Sequence, residues 1–152
     1  MTAPLVETWL IGNRVNLYVL DALAEPALAA VPAKGRSIAQ MWAHLHNVRL
    51  DWLKSGNPAL LNGLAKLDTK APLARAELRA ALEASGERMA GLVEQGLAEG
   101  RVKGFKPHPT AFAGYLLAHE GYHRGEIGIA ATAAGHPLDQ KTSFGMWEWG
   151  VR

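Results

Sequence analysis

The strongest chemical signal in the sequence is the fragment His119-Glu120-Gly121-Tyr122-His123. On a helix, residues four apart stand one turn above each other, so both imidazoles can converge on one point. A helix chelates a metal in this way, with nitrogens roughly 2.0–2.1 Å from a zinc ion. Such a pair also arises by chance in cores and on surfaces, so the face it occupies matters. Phe112, Leu116, His119, His123, Ile127 and Ala130 follow a 4-3-4-4-3 spacing, which puts both histidines on the stripe that should point inward. Buried imidazoles need partners, and one metal ion would satisfy both.

A third ligand is then expected from a neighbouring helix. His44 shares a face with Met41 and Val48 and is the natural choice. His46 lies two residues further, roughly 200° round the helix, and reads as a surface or inter-helix histidine. His108, between two prolines, and His136, at a helix stop, read as loop residues. A site of His44, His119 and His123 keeps coordination positions open, the pattern of a reactive site. Such a metal can lower the pKa of bound water or of a bound thiol, and imidazole ligands suit zinc and nickel alike.

The same fragment fits H-E-x-x-H, the zinc metalloprotease motif with Glu120 as general base. The extended form needs Gly at 126 and His at 129, where this chain has Glu126 and Ile129. A zinc hydrolase is therefore the weaker reading, and Glu120 reads as a residue behind the ligands or on the surface. A strip of small residues, Gly114, Ala118, Gly121, Gly125 and Gly128, runs along the same helix. Each interior glycine costs about 1 kcal/mol of helix propensity. The strip is expected either to meet another helix, in the bundle or across a dimer, or to be a tolerant solvent face.

Four helical segments must position these residues. The first spans roughly Leu5 to Leu23. The second opens at Ser37, an N-cap with Gln40 completing a capping box, and carries Ile38, Met41, Trp42, Leu45, Val48 and Trp52 on one face. The third covers about Leu73 to Leu97, rich in Ala, Leu, Glu and Arg. The fourth runs from about Thr110 to Ala134 and stops at Gly135-His136-Pro137; a short tail, Lys141 to Arg152, follows. No segment alternates with a period of two, so strands have no support. The expected fold is all-α, a four-helix bundle forming one domain over residues 1–152, with a short C-terminal tail.

Composition narrows the function. Sixteen basic and 14 acidic side chains leave a net charge of +2, and no basic run is long enough to follow a phosphate backbone, so nucleic acid is not an expected partner. There are no cysteines, hence no disulfides and no built-in thiol; any metal must use nitrogen or oxygen, and any thiol must be imported. The N-terminus lacks a basic n-region, and Glu7, Asn13 and Arg14 interrupt its apolar positions. No apolar run reaches transmembrane length, so neither export nor a membrane is expected, and the location read is cytoplasmic.

Three segments together resemble the DinB family (the DinB/YfiT-type four-helix proteins of bacteria). Ser37-Ile38-Ala39-Gln40-Met41-Trp42-Ala43-His44, followed by Trp52-Leu53, is similar to that family's second helix, whose histidine is a ligand. Ala118 to Ile127 is similar to its H-x-x-x-H-R-G-Q-I/L segment, with Glu126 in place of the usual Gln. Phe144-Gly145-Met146-Trp147-Glu148-Trp149 resembles the Trp-acidic-Trp ending of several members. The resemblance implies a metal-binding His triad in a bundle, often a homodimer. It also implies kinship with transferases that join bacillithiol, mycothiol or glutathione to small electrophiles, and with mycothiol-dependent isomerases.

Three functions are open on this reading. In the first, one divalent ion, zinc or nickel, presents a low-molecular-weight thiol to a small electrophile. In the second, the protein is a stress-related carrier of metal or ligand without turnover. In the third, the histidines are satisfied core residues. A substrate pocket is expected from apolar residues such as Trp42, Trp52 and Phe112. Tyr122 and Arg124 flank the triad in sequence, but their helical angles make them weak candidates for substrate contacts.

Overall fold

A computed structural model describes residues 1–152. Four long helices form the bundle: α1 Pro4–Ala22, α2 Ile38–Gly56, α3 Arg75–Glu99 and α4 Pro109–Ala133. There are no strands beyond one isolated bridge between Val102 and Phe105 in the α3–α4 connection. The tail is more ordered than a loop: it contains a short helix, α5 Gln140–Gly145, and a 3-10 turn at Trp149–Val151.

Local chemistry fixes the helix ends. Ser37 Oγ accepts from the Gln40 N–H at 3.1 Å while Gln40 Oε1 accepts from the Ser37 N–H at 2.8 Å, the capping box expected from sequence. His108 is not a free loop residue, because its Nδ1 accepts from the Ala111 N–H at 3.1 Å and so caps α4. α3 ends at Gly100, which takes a left-handed φ of 72°. At the start of α3, the Arg75 guanidinium donates to the carbonyls of Leu20 and Leu23 and pairs with Glu25 at 3.0 Å. The last carbonyls of α1, which have no helical donor, are satisfied in this way.

The interior divides into two apolar clusters. One gathers Leu17, Leu20, Ile38, Met41, Trp42, Leu45, Leu78, Leu82 and Ile127 with their neighbours. The other gathers Val6, Trp9, Leu50, Leu53, Met89, Val93, Phe112 and Leu116. On every long helix a polar residue lies between the two: Asn13 and Asn16 on α1, Arg49 on α2, Ser85 on α3 and Glu120 on α4, all buried. The bundle thus carries one polar layer across its middle.

Trp42 and Phe112 are fully buried, members of separate clusters, and line no open pocket. That part of the sequence expectation is corrected; only Trp52, half-buried, reaches solvent. His46 is 1% exposed, so it is an inter-helix residue and not a surface one. Its ring nitrogens face the Ala65 and Ala81 carbonyls at 2.8 and 3.0 Å. The glycine strip of α4 meets no other helix of the chain: a Cβ added at Gly114, Gly125 or Gly128 would touch nothing within 4 Å, and at Gly121 only Arg124. Close packing inside the bundle is therefore excluded as its reason.

Close approaches fall instead at glycines of other segments, among them Gly12 of α1 against Leu117, Gly56 of α2 against Leu92, and Gly86 on α3. A Cβ at Gly86 would run into the Asn13 carboxamide, and the Gly86 carbonyl accepts from Trp9 Nε1 at 2.8 Å. Gly86→Ala should lower stability by about 1–3 kcal/mol through overpacking. Gly114→Ala, with open space around it, should raise stability by up to about 1 kcal/mol through helix propensity. Denaturant unfolding of the two variants checks both signs.

Candidate metal centre

Antiparallel packing brings α2 beside α4, and three imidazoles meet between them. The His44, His119 and His123 rings have centroids 4.8 Å (44–123), 5.6 Å (44–119) and 4.7 Å (119–123) apart. One ligand atom from each lies within 4.8 Å of the other two. Two nitrogens on one zinc lie at most about 4.2 Å apart, so small side-chain rotations would close the set on an ion. His123 is 8% exposed, while His44 and His119 are half-buried, so the site is backed by protein and open on one side. No cysteine, aspartate or glutamate joins the cluster, which leaves three nitrogen donors suited to zinc, nickel or a similar ion.

Protonation favours ligation. Burial, reinforced by Arg36, His123 and His119, pushes the His44 pKa down to about 4 against a weaker opposing pull from Glu126. Burial, then His123, also lowers that of His119, opposed by Glu120. Lowered values keep these rings neutral near pH 7, the form that binds metal. At His123, Nδ1 lies 2.7 Å from Glu126 Oε1. A carboxylate can only accept, so Nδ1 carries the proton and Nε2 is free to ligate. Glu126 thus does with a carboxylate what an amide oxygen could also do: it accepts from Nδ1 and fixes the orientation of the ring.

Glu120 is not a surface residue, nor is it free for catalysis. It is 3% exposed and forms a two-pronged pair with Arg49: Nε to Oε1 at 2.7 Å and Nη2 to Oε2 at 2.8 Å. Asn16 Nδ2 donates to Oε2 at 2.7 Å, and Arg49 Nη1 reaches the Leu82 carbonyl and Ser85 Oγ at 2.7 and 3.2 Å. With both oxygens occupied, the general base that H-E-x-x-H requires is missing. Arg124 turns inward and donates to Asn16 Oδ1 at 2.6 Å, away from any substrate. Tyr122 comes nearer than its helical angle suggests: 66% exposed, its ring meets that of His123 edge-on at 5.2 Å.

A model of the DinB superfamily matches residues 12–127, from α1 through all three histidines. The chain belongs to the DinB superfamily. No curated protein matches it in sequence. The matched span of this DinB protein contains the triad, the Arg49–Glu120 pair and Glu126, whereas the tail from Gln140 onward lies outside it.

Arg49 escaped the sequence reading although a signal existed. It stands seven residues after Trp42 and four after Leu45, at the next core position of α2, where a charge must have a buried partner. Asn13 was legible only as an interruption of α1's apolar pattern, and Asn16 was not picked out; Asn16 belongs to the same network, whereas Asn13 is buried against Gly86 with no partner for its Oδ1. Removing one side of a buried ion pair leaves the other uncompensated, at about 3–5 kcal/mol. Glu120→Gln in this DinB protein should lose stability of that order in denaturant unfolding; an effect below about 1 kcal/mol would contradict the pairing.

Proposed function

We propose that this DinB protein holds one divalent ion, zinc or nickel, at His44, His119 and His123 and uses it in a thiol transfer to a small electrophile. The observation that carries the reading is the convergence of three imidazoles with no fourth protein ligand. A bound ion of this kind supplies acidity, lowering the pKa of a coordinated thiol or water toward neutrality. The chain supplies the rest. His44 and the α4 pair fix the donor geometry, Glu126 holds the His123 tautomer, and the open side admits thiol and electrophile together. With no cysteine of its own, the protein depends on a free thiol of low molecular weight, such as bacillithiol, mycothiol or glutathione. The cytoplasm, where thiols stay reduced, is the compartment this chemistry requires; no helix is long and apolar enough to cross a membrane.

Metal analysis of the untagged protein by mass spectrometry should give near one ion per chain, lost in the His119→Ala, His123→Ala double variant. Metal-loaded protein, mixed with each thiol and a chromogenic electrophile, should then outpace His44→Ala. No metal after loading with zinc or nickel would remove the reading; equal rates would remove the transferase and leave a metal centre. The second reading is a carrier of metal or ligand without turnover, which the same cluster of imidazoles would serve. It predicts bound metal and no turnover.

A homodimer is part of the same proposal. It is supported by the outer face of α4, where Gly125 and Gly128 lie open beside Ile129, which is 74% exposed. Sedimentation should give twice the mass of one chain, and Gly125→Arg should return it to one; a monomeric parent protein would end this part of the proposal.

A further inference from the structure

Beside the triad, the facing sides of α2 and α4 continue as aromatic and apolar residues. His44, Val48 and Trp52 succeed one another at intervals of four on α2, and His123, His119 and Tyr115 do so on α4. At one end of this double row stand the imidazoles. At the other stand Trp52 and Tyr115, with ring centroids 5.6 Å apart, joined by Phe105 from the α3–α4 connection at 5.9 Å from Trp52 and 5.6 Å from Tyr115. The Tyr115 ring lies nearly parallel to that of His119, at 16° and 6.2 Å, so the aromatic wall abuts the ligand set directly.

The wall is rigid behind and open in front. Phe112, fully buried, backs it at 5.2 Å from Trp52 and 5.3 Å from Phe105. Phe105 is fixed by a tight turn in which its N–H donates to the Val102 carbonyl at 3.1 Å and Gly104 takes a φ of 89°, a conformation side-chain-bearing residues rarely adopt. In contrast, Tyr115 is 40% exposed and Trp52 and Phe105 are half-buried. None of the three, nor Val48 between Trp52 and His44, carries a charge.

We propose that Trp52, Phe105 and Tyr115 form a subsite for a flat apolar group, an aryl ring, of the small molecule whose polar head binds at the triad. The inference rests on the metal reading above and adds the chemical class of the ligand. Aromatic faces favour offset or edge-on contact with another ring, and burying a ring against a preformed wall adds apolar area at little ordering cost. An aryl group attached directly to the head would reach Tyr115 across the His119 ring. A charged or strongly hydrated group at that place would lose water without gaining a partner.

Two hydroxamates that share one metal-binding head make the test, measured by calorimetry on zinc- or nickel-loaded protein. Acetohydroxamate carries only a methyl group, and 2-naphthohydroxamate carries a fused aryl ring. The naphthyl compound should bind at least about tenfold more tightly, a gain of ordinary size for one buried, stacked ring. Tyr115→Ala and Trp52→Leu should each remove most of that gain, and Tyr115→Phe should keep it. Metal content and acetohydroxamate affinity should stay as in the parent protein, which also shows that each variant is folded at the site. Equal affinity of the two compounds for the parent protein, or a gain that survives Tyr115→Ala, would overturn the subsite while leaving the metal centre. If neither hydroxamate binds the loaded protein, the open metal site is overturned and the subsite with it.

Discussion

The buried pair between Arg49 and Glu120 is the constraint on which the arrangement of helices depends. Apolar surfaces alone would allow α4 to slide or rotate against its neighbours at small cost, because greasy contacts are not directional. Arg49 removes that freedom: its five donors have fixed directions and find Glu120, Ser85 and the Leu82 carbonyl, while Asn16 and Arg124 complete the set. A shift of one turn in any helix would strand charges in the interior. The pair therefore sets register more than it adds stability. His119 precedes Glu120 and His123 follows it by three residues, so the register that pairs Glu120 with Arg49 also turns both α4 imidazoles toward His44.

The sequence revealed most where a residue's role follows from its own helix. The four long helices, the capping box at Ser37 and the end of α4 follow from periodicity and turn chemistry, and all three triad residues follow from face and spacing. What failed to show were roles that depend on a second helix. Glu120 has the same spacing pattern whether it faces solvent, a substrate or Arg49; only the position of α2 decides. Trp42 and Phe112 look like pocket residues in isolation, yet each is enclosed by neighbours from elsewhere in the chain. The glycines of α4 suggested close approach by their spacing, yet none is approached by another helix of this chain; Gly86 on α3 is, in a segment whose composition reads only as good helix.

Polar groups near the triad are divided between two tasks. Those pointing inward, Glu120 and Arg124, are consumed by the layer that joins the helices. Those pointing outward belong to the triad itself: Glu126 fixes the His123 ring, and the imidazoles keep one side open. The division explains how one short stretch of α4 can both anchor the core and carry the imidazole cluster.

The chain path between the ligands has a consequence for the energetics of a bound ion. All of α3 and both of its connections lie between His44 and His119. An ion on all three rings would therefore act as a removable cross-link closing a long loop, denying the unfolded chain much of its freedom as a disulfide does in proteins that have cysteines. Gain and loss of the ion would then be felt far from the site, in how often the two halves of the bundle part, and in how long the folded chain survives proteases or heat.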